Sequence, residues 1–64
     1  MLYRAKIKDV PVYDPETFNT VEWMNPNDIC AFVSSCERSS FISVLFRGKI
    51  GSVHISWLEQ IEGT

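Results

Sequence analysis

One histidine and two cysteines are all the nitrogen and sulfur ligands this 64-residue chain offers. A zinc finger needs four such ligands at fixed spacing, and Cys30, Cys36 and His54 match none, so no metal and no other cofactor is expected. A disulfide is not expected either. Six residues of strand would hold Cys30 and Cys36 about 20 Å apart, against the roughly 7 Å between Cα atoms that a bridge allows. Free thiols suit a reducing compartment, so the expected location is the cytoplasm, or the host cytoplasm if the chain is phage-encoded. No apolar run approaches the roughly 20 residues that cross a bilayer, and no charged-then-apolar leader opens the sequence, so no membrane partner is expected. Basic residues number six against eight acidic ones, for a net charge of −2. Nucleic-acid binders carry a basic face, so none is expected as a partner. No amphipathic helix of three turns fits anywhere along the chain.

What remains is β-strand. At 45% hydrophobic and 12% aromatic residues the composition is that of a globular domain. A chain this short buries roughly 60% of its unfolded surface, which leaves little room for a deep catalytic pocket. Residues 41–61 are the most informative stretch. An apolar, β-branched run from Phe41 reaches Arg47, Gly48 and Lys49, turns, and re-emerges as a strand over residues 50–54. A tight turn at Ile55, Ser56 and Trp57 then leads into a closing strand over residues 58–61. A hairpin, a one-turn connector and a closing strand in so short a span predict a small closed β-barrel.

Upstream, residues 2–8 alternate and predict a strand with Tyr3, Ala5 and Ile7 on one face. Arg4, Lys6 and Lys8 would then line a solvated face. Pro11 and Pro15 interrupt the segment that follows, because proline cannot donate to a central ladder. Residues 14–27 are polar and turn-rich and predict a long irregular loop or an open hairpin, interrupted by Val21, Trp23 and Met24. Residues 28–35 form the next strand candidate and residues 34–40 a connecting loop. The chain thus reads as one all-β domain, residues 1–64, of five short strands, with residues 1–9 as an N-terminal strand extension.

This arrangement resembles the Src-homology-3 fold in its bacterial form, over residues 10–61. Phe41, Val44, Gly48, Gly51, Val53, His54, Trp57 and Leu58 follow the spacing of the bacterial pattern without a gap. Val12, Tyr13 and Asp14 look like the family's Leu-Tyr-Asp segment, and Asn27-Asp28 stands where the family has Gly-Asp. Ser52 and Pro15 each replace an aromatic of the family. The resemblance implies a five-stranded Src-homology-3-like barrel with a single-turn 3-10 connector near residues 55–57. The residues agree with it on physical grounds. Gly48 suits the positive φ of a tight hairpin, Gly51 permits a close backbone approach inside a strand, and Val44 and Val53 suit a small barrel interior.

The resemblance also implies a shallow groove for extended, often proline-rich peptides, formed by Tyr13, Phe41, His54 and Trp57 with an acidic rim of Asp14, Glu16 and Glu22. The same rings equally suit the rim of a small core. Strand parity supplies a second surface. Cys30 and Phe32 would point inward beside Ile42, Val44 and Phe46, leaving Ile29, Ala31 and Leu45 outside with Ser43 and Ser52. An apolar outer face on so small a barrel suits a partner or a homodimer, unless the N-terminal extension covers it or a bulge shifts the parity. Catalysis would need a cysteine thiolate within reach of His54, and the three carboxylates sit on one loop, a poor platform for fixed geometry. The chain therefore reads as a non-catalytic protein-interaction module, a free-standing small bacterial or phage regulator that docks on a larger protein. Peptidoglycan binding and a structural role in a larger assembly are the alternatives.

Overall fold

A computed structural model describes residues 1–35 and 40–61. The strands are β1 (Leu2–Ala5), β2 (Val10–Tyr13), β3 (Thr20–Met24), β4 (Ile29–Ser35), β5 (Phe41–Phe46), β6 (Lys49–His54) and β7 (Leu58–Gln60), with a 3-10 turn at Ile55–Trp57. All seven strands belong to one antiparallel sheet in the order β3-β2-β6-β5-β4-β1-β7. The expected five-stranded closed barrel is thereby corrected on two points: there are seven strands, and among the described residues no pairing joins β3 to β7.

The two additional strands come from the stretch read as broken and irregular. Val10, Pro11 and Val12 pair with Met24, Trp23 and Glu22, and a bulge beside Val12 brings Tyr13 opposite Thr20. Pro11 is tolerated because β2 has a full ladder only on its β3 side; it meets β6 at the single pair Tyr13↔Ser52. Alternation supplies the rest of the reason. Val10, Val12 and Met24 are almost wholly buried, which pins the polar hairpin to the core. Each such side chain contributes about 1.5–3 kcal/mol of burial.

The core lies on one face of the sheet. Ile42, Val44 and Phe46 alternate inward along β5, with Val53 from β6 and Cys30 from β4. Phe32 packs against this core with half-burial, and its ring lies 6.3 Å from that of Tyr3. A bulge at Val33, between the pairs Phe32↔Val44 and Ser34↔Ser43, shifts the end of β4 without disturbing the inward set. Phe46 and Lys49 close a two-residue turn in which Arg47 (φ 53°) and Gly48 (φ 77°) are both left-handed, the requirement of a type I′ hairpin. At Gly51 a Cβ would collide with Val12 Cγ1 and lie 3.3 Å from the Tyr13 carbonyl oxygen, so β2 can cross β6 only over a glycine.

The first strand is shorter than expected. β1 ends at Ala5, Lys6 donates its N–H to the Trp57 carbonyl (2.8 Å), and the chain bends away through Asp9 at φ 57°. Ile7 is consequently exposed and does not share the buried side of Tyr3 and Ala5. Cys36 lies outside the described residues; Cys30 is a free thiol.

Candidate functional site

Rings from four parts of the chain converge where β2, β5 and β6 end. Phe41 opens β5, directly opposite His54 at the end of β6, and the 3-10 turn that follows His54 delivers Trp57. Phe41 contacts His54 edge-on at 5.1 Å and Trp57 at 6.4 Å, and the His54 and Trp57 centroids are 5.1 Å apart. Tyr13, at the end of β2, lies 6.0 Å from Phe41. The four expected groove residues are thus brought together, all partly buried. They form a shallow surface, with no cavity among the described residues.

A fifth ring, Phe18, was not anticipated. It stacks on Tyr13 at 4.5 Å with the planes 12° apart, and meets Phe41 edge-on at 5.2 Å. The β2–β3 loop holds it there. Asp14 Oδ1 accepts the N–H groups of Glu16 (2.8 Å) and Thr17 (3.1 Å), and the Asp14 carbonyl accepts that of Phe18 (2.8 Å). Asp14 in turn donates its N–H to the Asn19 carbonyl at 2.7 Å. These bonds hold the Asp14 carboxyl below its ordinary value, chiefly through the Thr17 and then the Glu16 N–H. Phe18 itself sits at φ 60°, a region that sequence pattern does not mark for phenylalanine. The one local signal was Asp14, whose side chain favours such turns.

His54 caps the 3-10 turn. Its Nδ1 accepts the Ser56 N–H (3.2 Å) and lies 2.7 Å from Ser56 Oγ. A backbone N–H can only donate, so in the neutral ring the proton resides on Nε2.

The acidic rim is divided. Asp14 and Glu16 belong to the loop beneath Phe18, with Glu16 exposed. Glu22 is elsewhere: its carboxylate pairs with Arg47 at 3.5 Å, at the opposite end of the β5–β6 hairpin. Five residue steps of strand separate that end from Phe41, about 16 Å. Glu22 lies there because Thr20–Met24 form β3 rather than part of the loop, with Glu22 opposite Val12.

The outer face follows the expected parity with one correction. Ile29 (53% exposed) and Leu45 (43%) are open to solvent, and Ala31 is half-buried. Ser52 shares that side but is only 1% exposed, because β2 lies against β6 at this residue; its hydroxyl has no hydrogen-bond partner among the described residues. Register adds members that parity alone did not supply. Leu2 pairs with Ala31, Ala31 with Leu45, and Leu45 with Ile50, while Ile61 donates its N–H to Leu2. The residues Ile61, Leu2, Ala31, Leu45 and Ile50 therefore run as one apolar row across the sheet. The Arg4–Glu59 ion pair lies beside it, next to Ile29.

Cys30 faces the core at 2% exposure, and burial pushes its thiol up to about 11, so it offers no thiolate to His54. Among the described residues, no three His, Cys, Asp or Glu side chains gather as a metal site requires, and no helix is long and apolar enough to cross a membrane. Comparison with known proteins returned no match: no protein-family profile, no curated protein and no solved structure is significantly similar to this chain.

Proposed function

We propose that this chain is a non-catalytic protein-interaction module of the bacterial Src-homology-3-like type, which binds an extended segment of a larger protein across the cluster of Tyr13, Phe41, His54 and Trp57. The observation that carries this reading is the convergence of these rings, from widely separated parts of the chain, on one open surface. A ring surface that includes an imidazole, with an adjacent acidic loop, suits a stiff, partly basic, proline-containing peptide. The succession of β7, β1, β4, β5 and β6 as neighbours in one antiparallel sheet supports the reading. A small bacterial or phage regulator acting in the cytoplasm is the biological role that fits, and the unpaired Cys30 accords with a reducing compartment.

The test is an NMR titration of the ¹⁵N-labelled protein with proline-containing peptides. Shifts should cluster at Tyr13, Phe41, His54 and Trp57, and Trp57→Ala should weaken binding at least about tenfold, as for a buried aromatic anchor. Shifts elsewhere, or binding indifferent to Trp57→Ala, would remove the reading. Co-sedimentation with purified peptidoglycan separates it from wall recognition.

The apolar row favours a second use of the molecule, as one half of a homodimer. Read across the sheet it runs Ile-Leu-Ala-Leu-Ile, symmetric about Ala31, as a two-fold interface in which residue i meets j and j meets i can use directly. Light scattering should then show concentration-dependent dimers that Leu45→Asp abolishes; a clean monomer at about 1 mM would exclude them.

A further inference from the structure

The two edges of the sheet are finished differently. β7 is three residues long and carries the Arg4–Glu59 ion pair, and a short charged edge discourages pairing with another chain. β3 has five residues with neither lysine nor proline, and among the described residues it pairs with β2 alone. Val21 and Trp23 stand open on it, at 43% and 53% exposure. Pro11 sets the direction of its backbone. A proline has no N–H to exchange, so Pro11↔Trp23 is a pair of the non-hydrogen-bonded kind. Trp23 therefore turns its N–H and C=O away from β2, toward the open side.

We propose that the β3 edge is a further interaction surface, independent of the ring cluster, on which an extended basic segment of a partner protein adds a short strand hydrogen-bonded to Trp23. The neighbours of Trp23 limit its length. Past Met24, Asn25 is occupied: its N–H donates to Asp28 Oδ2 and its carbonyl accepts the Asp28 N–H, both at 2.8 Å. On the other side, the bulge at Val21 interrupts the regular edge. The added strand is thus centred on Trp23, and its few main-chain bonds leave side chains to supply the rest of the affinity.

Charge selects those side chains. Residues 9–28 hold five carboxylates, Asp9, Asp14, Glu16, Glu22 and Asp28, and no basic residue. Among the described residues, Glu22 alone of the five has an ion-pair partner. Asp9 and Asp28 are each hydrogen-bonded to Asn25, two positions from Trp23. A partner residue directly opposite Trp23 lies on the same face of the sheet as the indole, with the Cβ atoms about 5 Å apart. An arginine there gains both the face of the ring and the neighbouring carboxylates. A second copy of this chain would set one acidic hairpin against another, and a nucleic acid would meet the same repulsion.

The probe is a capped heptapeptide of alternating arginine and valine, titrated into the ¹⁵N-labelled wild-type protein. The Trp23 amide should gain protection from hydrogen exchange, binding should weaken as salt rises, and a peptide with glutamate for arginine should not bind. The arginine opposite Trp23 exchanges main-chain bonds with it, so N-methylation at the arginines should abolish binding while N-methylation at the valines leaves it nearly unchanged. Equal loss from both methylated peptides, or equal binding of the glutamate peptide, would overturn strand addition. Trp23→Thr keeps a strand-forming residue and should weaken binding about tenfold, with the Tyr13, Phe41 and Trp57 resonances unmoved. Peptide shifts confined to Tyr13, Phe41, His54 and Trp57 would overturn the edge and leave the ring cluster standing. Peptide-free dimers that Trp23→Thr abolishes and Leu45→Asp does not would overturn it too, by giving the edge to a second copy.

Discussion

The β5–β6 hairpin has two ends, and they are built by different means. At its tip, Arg47 and Gly48 obey a local rule: two left-handed residues form a turn whose twist matches the strands. What surrounds the tip is short-range or peripheral, namely Arg47 over the Phe46 ring at 5.1 Å and the Arg47–Glu22 ion pair at the surface. At its base, Phe41 and His54 acquire meaning only from what the rest of the chain brings: Tyr13 and Phe18 from the β2–β3 hairpin and Trp57 from the 3-10 turn. The tip is fixed by backbone preference and carries no chemistry. The base is fixed by tertiary structure and carries the candidate site.

Substitutions can set the two ends against each other. The largest expected effect is at Gly51, where β2 crosses β6 on the way to the ring cluster. Gly51→Ala forces Val12 aside and should destabilise the protein by about 3 kcal/mol, measured by urea unfolding, while displacing the Tyr13 resonances. A change below about 1 kcal/mol would mean that the crossing is looser than the contact implies. At the tip, Gly48→Ala has open space for its Cβ but the wrong φ, so a loss of about 1 kcal/mol is expected with the ring resonances unmoved.

Asp14→Asn should be milder at neutral pH, since an amide oxygen can still accept the loop N–H groups. Its signature is pH. The Asp14 carboxyl is depressed in the folded state, so the stability it contributes is present above its unfolded value near 3.8 and fades as pH falls through the lower folded value. Unfolding midpoints at pH 7 and pH 3 should therefore lie closer together in Asp14→Asn than in wild type, and equal spacing would remove Asp14 as the loop's acid-sensitive anchor. The smallest effect belongs to Glu22→Gln. A surface pair at 3.5 Å is worth a few tenths of a kcal/mol at most, diminishing with salt, and the ring cluster should not register its loss.

The same contrast explains what could be read from the sequence. Five strands were legible because their apolar residues alternate or run together, and the Gly48 turn because its chemistry is local. β2 was not, because Pro11 argues against a strand although β2 has a full ladder on one side only, and β3 was legible no further than as part of a long loop or open hairpin. Four rings of the cluster were legible through spacing that resembles a known pattern. Phe18 was not, because nothing in an Asp-Pro-Glu-Thr-Phe segment announces a left-handed phenylalanine; the Asp14 hydrogen bonds impose it. Glu22 was placed with Asp14 and Glu16 because residues 14–27 read as one polar loop, whereas Thr20–Met24 form a strand. Parity placed Leu45 and Ile29 correctly but treated Ser52 as open, since it takes no account of a strand crossing above.

The pairing of β1 with both β4 and β7 has a kinetic consequence. The Arg4–Glu59 pair closes contacts between residues 55 positions apart, and three of the six strand pairings, β1 with β7, β1 with β4 and β2 with β6, join strands that are not consecutive in sequence. Loop-closure entropy must be spent before those contacts return anything, so folding should take milliseconds to seconds rather than microseconds. The hairpin of β5 and β6, whose partners are close in sequence, is the natural nucleus. The seam between β1 and β7 would then be the last to form and the first to open, and amide hydrogen exchange should find its protection lowest there.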